Sequence, residues 1–275
     1  IYINMENFYE NEMNETFYIN SGSFSIAPRL IFIIPYRDRE QQLIFFKRHI
    51  QYILEDYSKS DYLLIFVHQK DQRSFNCGAM KNIGFLIIKD LYPHDYKTMT
   101  LVFNDVDTLP FSKNFIHYET QKGMIKHFYG FKHALGGIVS INAEDFEKIN
   151  GFPNFWAWGY EDNLFQERAI QNGISINRQQ FYPFADKNIL HFYDGYLKQV
   201  NKTEFERYAN HTREGIDCIQ NLNYSFNSET ELYDVVTFTT GTEENKKTTK
   251  IHDLHNGTVP FNHRFGRRNG MSMVL

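Results

Sequence analysis

The sequence predicts an α/β domain whose parallel strands are covered by helices on both faces. Short, wholly apolar strands alternate with helices of amphipathic spacing, and charged residues collect just after the strand ends. At 275 residues, the chain is long enough to bury roughly 75% of its extended surface without metal or disulfide staples.

Residues 1–28 read as a polar, aromatic arm without periodicity. Leu30–Ile34 is the first strand, stopped by Pro35 and the charged turn Arg37–Glu40. From Gln41 to Tyr57, the residues Leu43, Phe46, Ile50 and Ile53–Leu54 share one helical face. Tyr62–Val67 is the second strand. Ser74–Asn76 can start the next helix, whose apolar side carries Met80, Ile83, Gly84, Ile87 and Ile88. Thr100–Phe103 is the third strand and runs into Asn104-Asp-Val-Asp107. Beyond Pro110 the pattern is irregular to about residue 140, with Gly136-Gly137 leading into a strand that ends at Ile141. Asp145–Ile149 makes a short helix, Asn150–Pro153 a turn, and Asp162–Gln171 a longer helix. A helical segment near 204–220 and a hairpin from Tyr224–Phe226 and Val235–Thr239 follow. From Gly241 the chain is polar and reads as a loosely attached tail. The expected organisation is an arm over 1–28, one domain over 29–240 and a flexible tail over 241–275.

With 29 Lys plus Arg against 33 Asp plus Glu, the net charge of −4 argues against a protein that grips nucleic-acid phosphates. Apolar residues at 42% and charged residues at 23% exclude wholesale disorder. Two cysteines, Cys77 and Cys218, are too few for a disulfide framework or a thiolate zinc site. No apolar run approaches the roughly 20 residues of a bilayer span, so no membrane span is expected in this chain. The 26 Phe and 18 Tyr have two readings, a phenylalanine-rich core or stacking platforms for sugars or bases.

In sheets of this kind ligands bind at the carboxyl ends of the strands, which brings forward Pro35–Arg39 and Asp105–Asp107. The two aspartates either hold a hard cation such as Mn²⁺ or Mg²⁺ or merely terminate the strand as turn formers. Arg37 and Arg39 either clamp phosphates or are solvated turn charges. The run Trp156-Ala-Trp158-Gly-Tyr160-Glu161-Asp162 is poor core material. It suits a sugar ring, which offers C–H faces and hydroxyls together. Helix capping explains Asp162 but not the tryptophan pair. His191 on its own reads as a half-buried structural histidine; with a metal on Asp107 it reads as a ligand.

Taken together, Ile33–Glu40, Phe75–Phe85, Phe103–Pro110, Gly136-Gly137 and Ile149–Asp162 resemble the β-1,4-galactosyltransferase family. His211–Glu214 and Leu222–Ser225 look similar to its C-terminal stretch, and the blocks keep family order over about residues 30–240. The resemblance implies a GT-A type, Rossmann-like mixed sheet flanked by helices, forming a single catalytic domain over 29–240. It further implies an inverting transfer of a hexose from a UDP-sugar to a glycan or glycoconjugate hydroxyl, assisted by Mn²⁺, with Mg²⁺ as the alternative. Carried onto this chain, Pro35, Arg37, Arg39, Phe75, Asp105, Trp158, Gly136 and Gly137 would surround the donor. Asp107 and His191 would hold the metal. Tyr160, Glu161 and Asp162 would meet the acceptor, with Asp162 the catalytic base and Glu161 beside it.

The chain departs from the family pattern at several positions. Cys77 stands where an arginine is common, so one phosphate contact is either lost or supplied elsewhere, by Lys81 or Lys126. Tyr160 and Asn163 replace a frequent glycine and a frequent acid, which points the acceptor away from N-acetylglucosamine. Asn188 occupies the family's methionine ligand position and offers a harder amide oxygen. Ala134 replaces a bulky tyrosine, so the donor pocket is expected to admit N-acetylgalactosamine as well as galactose. Family members are typically anchored Golgi proteins; this chain is expected to be a soluble microbial or viral enzyme, or an anchorless fragment. A catalytically silent sugar-binding module of the same fold is the rival expectation. A metal phosphohydrolase using the aspartate pair would leave the tryptophan-rich block without a purpose.

Overall fold

The computed structural model describes residues 27–193 and 195–261. Strand β1 (Leu30–Tyr36) lies between β2 (Tyr62–Gln69) and β3 (Thr100–Asn104), and both neighbours run parallel to it. Helix α1 (Glu40–Ile53) follows β1, and α2 (Cys77–Leu91) follows β2. Further along come β4 (Thr108–Pro110), β5 (Met124–Gly130), β6 (Ile138–Asn142), α3 (Ala143–Lys148) and α4 (Glu161–Gln171). Three short strands follow: β7 (Ser175–Asn177), β8 (Tyr182–Pro183) and β9 (Ile189–His191). The chain continues through β10 (Leu197–Asn201), α5 (Lys202–Ala209), β11 (Gln220–Asn227), β12 (Leu232–Thr239) and β13 (Thr249–Asp253).

The main sheet has the order β11-β12-β2-β1-β3-β6-β5-β7, with β8 beside β5. It is mixed: β12, β2, β1 and β3 are parallel, β6 is antiparallel to β3, and β5 is antiparallel to β6. Period-two alternation sorts the core into two layers. Leu30, Phe32 and Ile34 face Leu43, Phe46, Ile50 and Ile53 of α1, while Ile31 and Ile33 face Met80, Ile83 and Ile87 of α2. Helix α2 sits tight on the sheet because position 84 is glycine; a Cβ there would lie 2.4 Å from Ile33 Cγ2. Asn76 starts this helix by accepting from the Ala79 amide at 2.9 Å, as an N-cap should. Much of the phenylalanine is core: Phe103, Phe146, Phe152 and Phe165 pack edge-on and stacked, with the last two ring centres 3.9 Å apart.

Several elements differ from expectation. Strand β1 runs through Pro35 to Tyr36, which is possible because pairing with β3 ends at Ile33, so the missing proline N–H costs no bond on that side. Strand β5 lies in the stretch read as irregular; Lys126 and His127 interrupt its apolar run. The helix near 204–220 is only α5, ended by Asn210 and by His211 at φ 50°, with β11 beginning at Gln220. The segment expected as a loose tail carries β13, which pairs antiparallel with β10, and Trp156 Nε1 donates to the Thr242 carbonyl. Its polar composition hid a strand whose partner is the equally polar β10. Residues 1–26 of the expected arm and 262–275 of the tail lie outside the described residues. Among the described residues no helix is long and apolar enough to cross a membrane.

Candidate functional site

Parallel β1 and β3 deliver their carboxyl ends to the same edge of the sheet, and the loops after them meet there. The Asn104 amide donates to the carbonyls of Asp105 and Thr108 at 2.9 and 2.7 Å, which fixes the turn carrying Asp105 and Asp107. Arg39 lies 3.8 Å from Asp107 Oδ2. Arg37 donates to the Arg73 carbonyl and pairs with Asp38 at 3.3 Å. Pro35, Arg37, Arg39, Phe75 and Cys77 line a cavity of about 310 Å³ on this side. Burial pushes the Cys77 thiol well above its ordinary range, so it is neutral at pH 7.

Strand β9 pairs antiparallel with β4, setting His191 opposite Thr108, and Phe192 N donates to Asp107 O at 2.8 Å. Asp107 and His191 are thereby neighbours. His191 Nδ1 is 2.8 Å from the Tyr129 hydroxyl, which also accepts from Ala185 N. With Nδ1–H donating to that oxygen, Nε2 carries the lone pair a metal takes. Among the described residues no group of three or more His, Cys, Asp and Glu side chains forms a metal cage. One carboxylate and one imidazole still fit Mn²⁺ or Mg²⁺, whose remaining positions are commonly filled by phosphate oxygens and water. Asn188 is not brought to them. Its side-chain amide nitrogen donates to Asp186 Oδ1 at 3.0 Å, its backbone carbonyl accepts from Phe111 N, and it lines neither cavity of the site.

The tryptophan pair divides. Trp156 is buried, stacked on Phe238 with the Arg73 guanidinium 4.4 Å from its ring, and belongs to the core. Trp158 is half-buried and faces the site, its amide donating to Gln199 O at 2.8 Å. Left-handed backbone at Ala157, Gly159 and Tyr160 lets the two indoles part in this way. Tyr160 reaches the site's second cavity, but its ring is buried and stacks on Tyr208 at 5.2 Å.

Helix α4 opens with the two acids. Position 136 must be glycine for this helix start to close on the preceding loop, because a Cβ there would lie 2.1 Å from Asp162 Oδ2. Leu135 N donates to Asp162 O, and Asp105 N to Gly137 O, both at 3.0 Å. Lys81, only 2% exposed, reaches in from α2 with Nζ 3.2 Å from Asp162 Oδ1 and 3.6 Å from Asp105 Oδ1. Burial, with the neighbouring Asp162 charge, pushes Glu161 up to about 8. Burial also raises Asp162, against the opposing pull of Lys81. Lys81 is held well above its usual range: burial alone would lower it, but Asp162 and the surrounding acids outweigh that.

A second cavity, of about 200 Å³, lies beyond these acids and is walled by Tyr129, Phe131, Phe184, Tyr193 and Tyr196 together with Ala134, Gly136 and Gly137. The two cavities share Asp105, Asp107, Trp158, Glu161, Asp162 and Lys198. Sequence reasoning missed Phe184, Tyr193 and Tyr196, whose only signal was the general aromatic excess, and Lys198, which stands in a polar stretch without a motif. Lys126 donates to the His117 carbonyl and lines a separate groove, away from this site.

Known proteins share this architecture. Residues 19–119 match the family model described as the N-terminal region of glycosyl transferase group 7, and 118–194 match that described as the N-terminal domain of galactosyltransferase. Over 209 residues the chain is 30% identical to beta-1,4-galactosyltransferase 5 of Mus musculus, which covers 72% of this chain and 52% of that protein. It is 32% identical over 159 residues to xylosylprotein 4-beta-galactosyltransferase of Caenorhabditis elegans, covering 54% and 53%. The chain spans about half the length of the curated relatives it matches. The catalytic domain of Drosophila beta-1,4-galactosyltransferase 7, solved with xylobiose, has the same fold, with a TM-score of 0.62 at 20% identity over 79% of this chain and 96% of that one. A mutant of that Drosophila protein, solved with manganese, UDP-Gal and xylobiose, superposes equally well at 21% identity.

Proposed function

The chain belongs to the β-1,4-galactosyltransferase family, and from that premise we propose that it moves a hexose from a UDP-sugar to a sugar hydroxyl with inversion at the anomeric carbon. The observation that carries this reading is the common wall of the two cavities, where Asp107, Trp158 and Asp162 stand between a pocket that holds Arg37 and Arg39 and an aromatic one.

The uridine diphosphate belongs in the first cavity, with Arg37 and Arg39 toward its phosphates and Pro35 and Phe75 as its apolar walls. Asp107 and His191 would hold Mn²⁺ or Mg²⁺, which when bound neutralises charge on the departing diphosphate. The acceptor sugar belongs in the aromatic cavity, with its hydroxyl against Asp162. Asp162 takes the proton of that hydroxyl as the acceptor oxygen bonds to the anomeric carbon. The bond from that carbon to the phosphate oxygen breaks, and its electron pair leaves with UDP. Attack from the face opposite the leaving group turns an α-linked donor into a β-linked product. One ionised carboxylate suffices, and Glu161, protonated at neutral pH, is free to donate a hydrogen bond to the acceptor. The donor's hexose lies at the wall that Trp158 and Asp162 form between the two cavities, with Ala134 on the second-cavity side of it, so both UDP-galactose and UDP-N-acetylgalactosamine fit the reading.

The test is UDP release from a panel of UDP-sugars, with and without Mn²⁺, across simple acceptor sugars. Acceptor-stimulated, Mn²⁺-dependent release from galactose or N-acetylgalactosamine donors is expected. UDP binding without release from any donor would favour a silent carbohydrate-binding module instead.

A further inference from the structure

We propose that Lys81 is a positioning residue of the transfer site, a buried ammonium that keeps Asp162 ionised and fixes the direction of its carboxylate. The proposal rests on the reading of Asp162 as the base.

Lys81 lies one turn into α2, among side chains that are otherwise apolar or neutral: Ala79, Met80, Asn82 and Ile83 are all buried beside it. A lysine at 2% exposure is costly unless its charge is matched. Here the match is specific. Nζ donates to Asp162 Oδ1 at 3.2 Å, pairs with Asp105 Oδ1 at 3.6 Å and stands 4.7 Å from the centre of the Phe152 ring. Asp162 is gripped on its other side, since its Oδ2 lies against Gly136 with no space for even a methyl group.

The titratable groups facing Asp162 are Lys81 and Cys77 from α2, Asp105 from the end of β3, and Glu161 on its own helix. The thiol is neutral and the two carboxyls are acidic, so Lys81 is the cation of this set. Without it, Asp162 would face the Asp105 carboxylate in a partly enclosed site, and the proton would stay on the base. Lys81 also joins the end of β3, on the nucleotide side, to the start of α4, on the acceptor side. That role differs from a phosphate contact replacing the arginine missing at Cys77, and the two are separable.

The experiment is the pH dependence of acceptor-stimulated UDP release by wild type, Lys81→Met and Lys81→Arg, with UDP–Mn²⁺ affinity measured alongside. Removing an opposite charge at this distance is expected to move the acid limb of kcat up by about 1–3 pH units. Lys81→Arg should return the limb toward wild type, and UDP affinity should hold in both variants. An unshifted limb overturns the proposal; an unshifted limb with lost UDP affinity makes Lys81 a phosphate contact instead. Asp162→Asn is the separate arm: wild-type turnover there defeats the base reading itself, whatever Lys81 does. Should Lys81→Met not fold, a carboxyl ¹³C titration of aspartate-labelled wild type against Asp162→Asn reads the same quantity. Asp162 ionised throughout the active pH range supports the proposal, and Asp162 protonated within it overturns the proposal.

Discussion

Gly136→Ala is a one-carbon test of how the site is built. The backbone at Gly136 is outside the left-handed region, so alanine brings no conformational strain. The added Cβ would stand 2.1 Å from Asp162 Oδ2 and 2.8 Å from its Cγ. Side-chain atoms do not approach that closely, so the carboxylate must retreat by roughly 1 Å, and a displacement of that size at a reacting group costs about 10²-fold in rate. That corresponds to about 2.7 kcal/mol of transition-state stabilisation. The nucleotide cavity does not include Gly136, so UDP affinity should be unchanged. The assay is kcat for acceptor-stimulated UDP release, with UDP titrated calorimetrically and Tm recorded. Gly123→Ala is the converse control, because its φ of 83° strains the backbone while no atom lies within 4 Å of its new Cβ; it should lose some stability and keep its rate. Wild-type kcat in Gly136→Ala would refute the close packing of Asp162 against this loop.

Other substitutions separate framework from chemistry. Trp156→Ala empties a fully buried site and should cost about 3–5 kcal/mol in denaturant unfolding, whereas Trp158→Ala should leave stability near wild type and abolish most turnover. Asp107→Asn and His191→Ala should raise the Mn²⁺ concentration needed for half-maximal UDP binding, while Asn188→Ala should not, because that residue lines neither cavity; a shift in Asn188→Ala would return it to the ligand set. Glu161 has a folded pKa of about 8, above its unfolded value, so the folded state holds an extra proton between about pH 4.3 and 8 and wild-type stability falls as pH rises through that window. Glu161→Gln should therefore raise Tm over wild type by a margin that grows up to about pH 8, and an equal margin at pH 5 and pH 8 would contradict the buried, protonated acid.

What the sequence disclosed follows from which residues carry local signals. The alternation of Leu30–Ile34 with the spaced apolar face of α1 was enough to set the first two layers, and Asp105–Asp107 announced itself by following an apolar strand directly. Strand β13 carried no such signal, because β10 and β13 are both polar and their pairing depends on contact across about fifty residues. Trp156 and Trp158 look alike in the chain; only the left-handed backbone between them decides which ring is core. The Lys81 contact to Asp162 spans 81 positions and crosses from one helix to another, so it is visible only once α2 and α4 are placed on the sheet. Asn188 shows the complementary case: similarity to a ligand position carries no information on the turn in which its side-chain amide donates to Asp186.

The most direct measurement is turnover by Asp162→Asn, set beside its affinity for UDP in the presence of Mn²⁺. A general base contributes about 10²–10⁴-fold, so acceptor-stimulated UDP release should fall by that factor while UDP binds as in wild type. Turnover close to wild type, or UDP affinity lost in step with turnover, would contradict the assignment of Asp162 as the base that accepts the acceptor's proton.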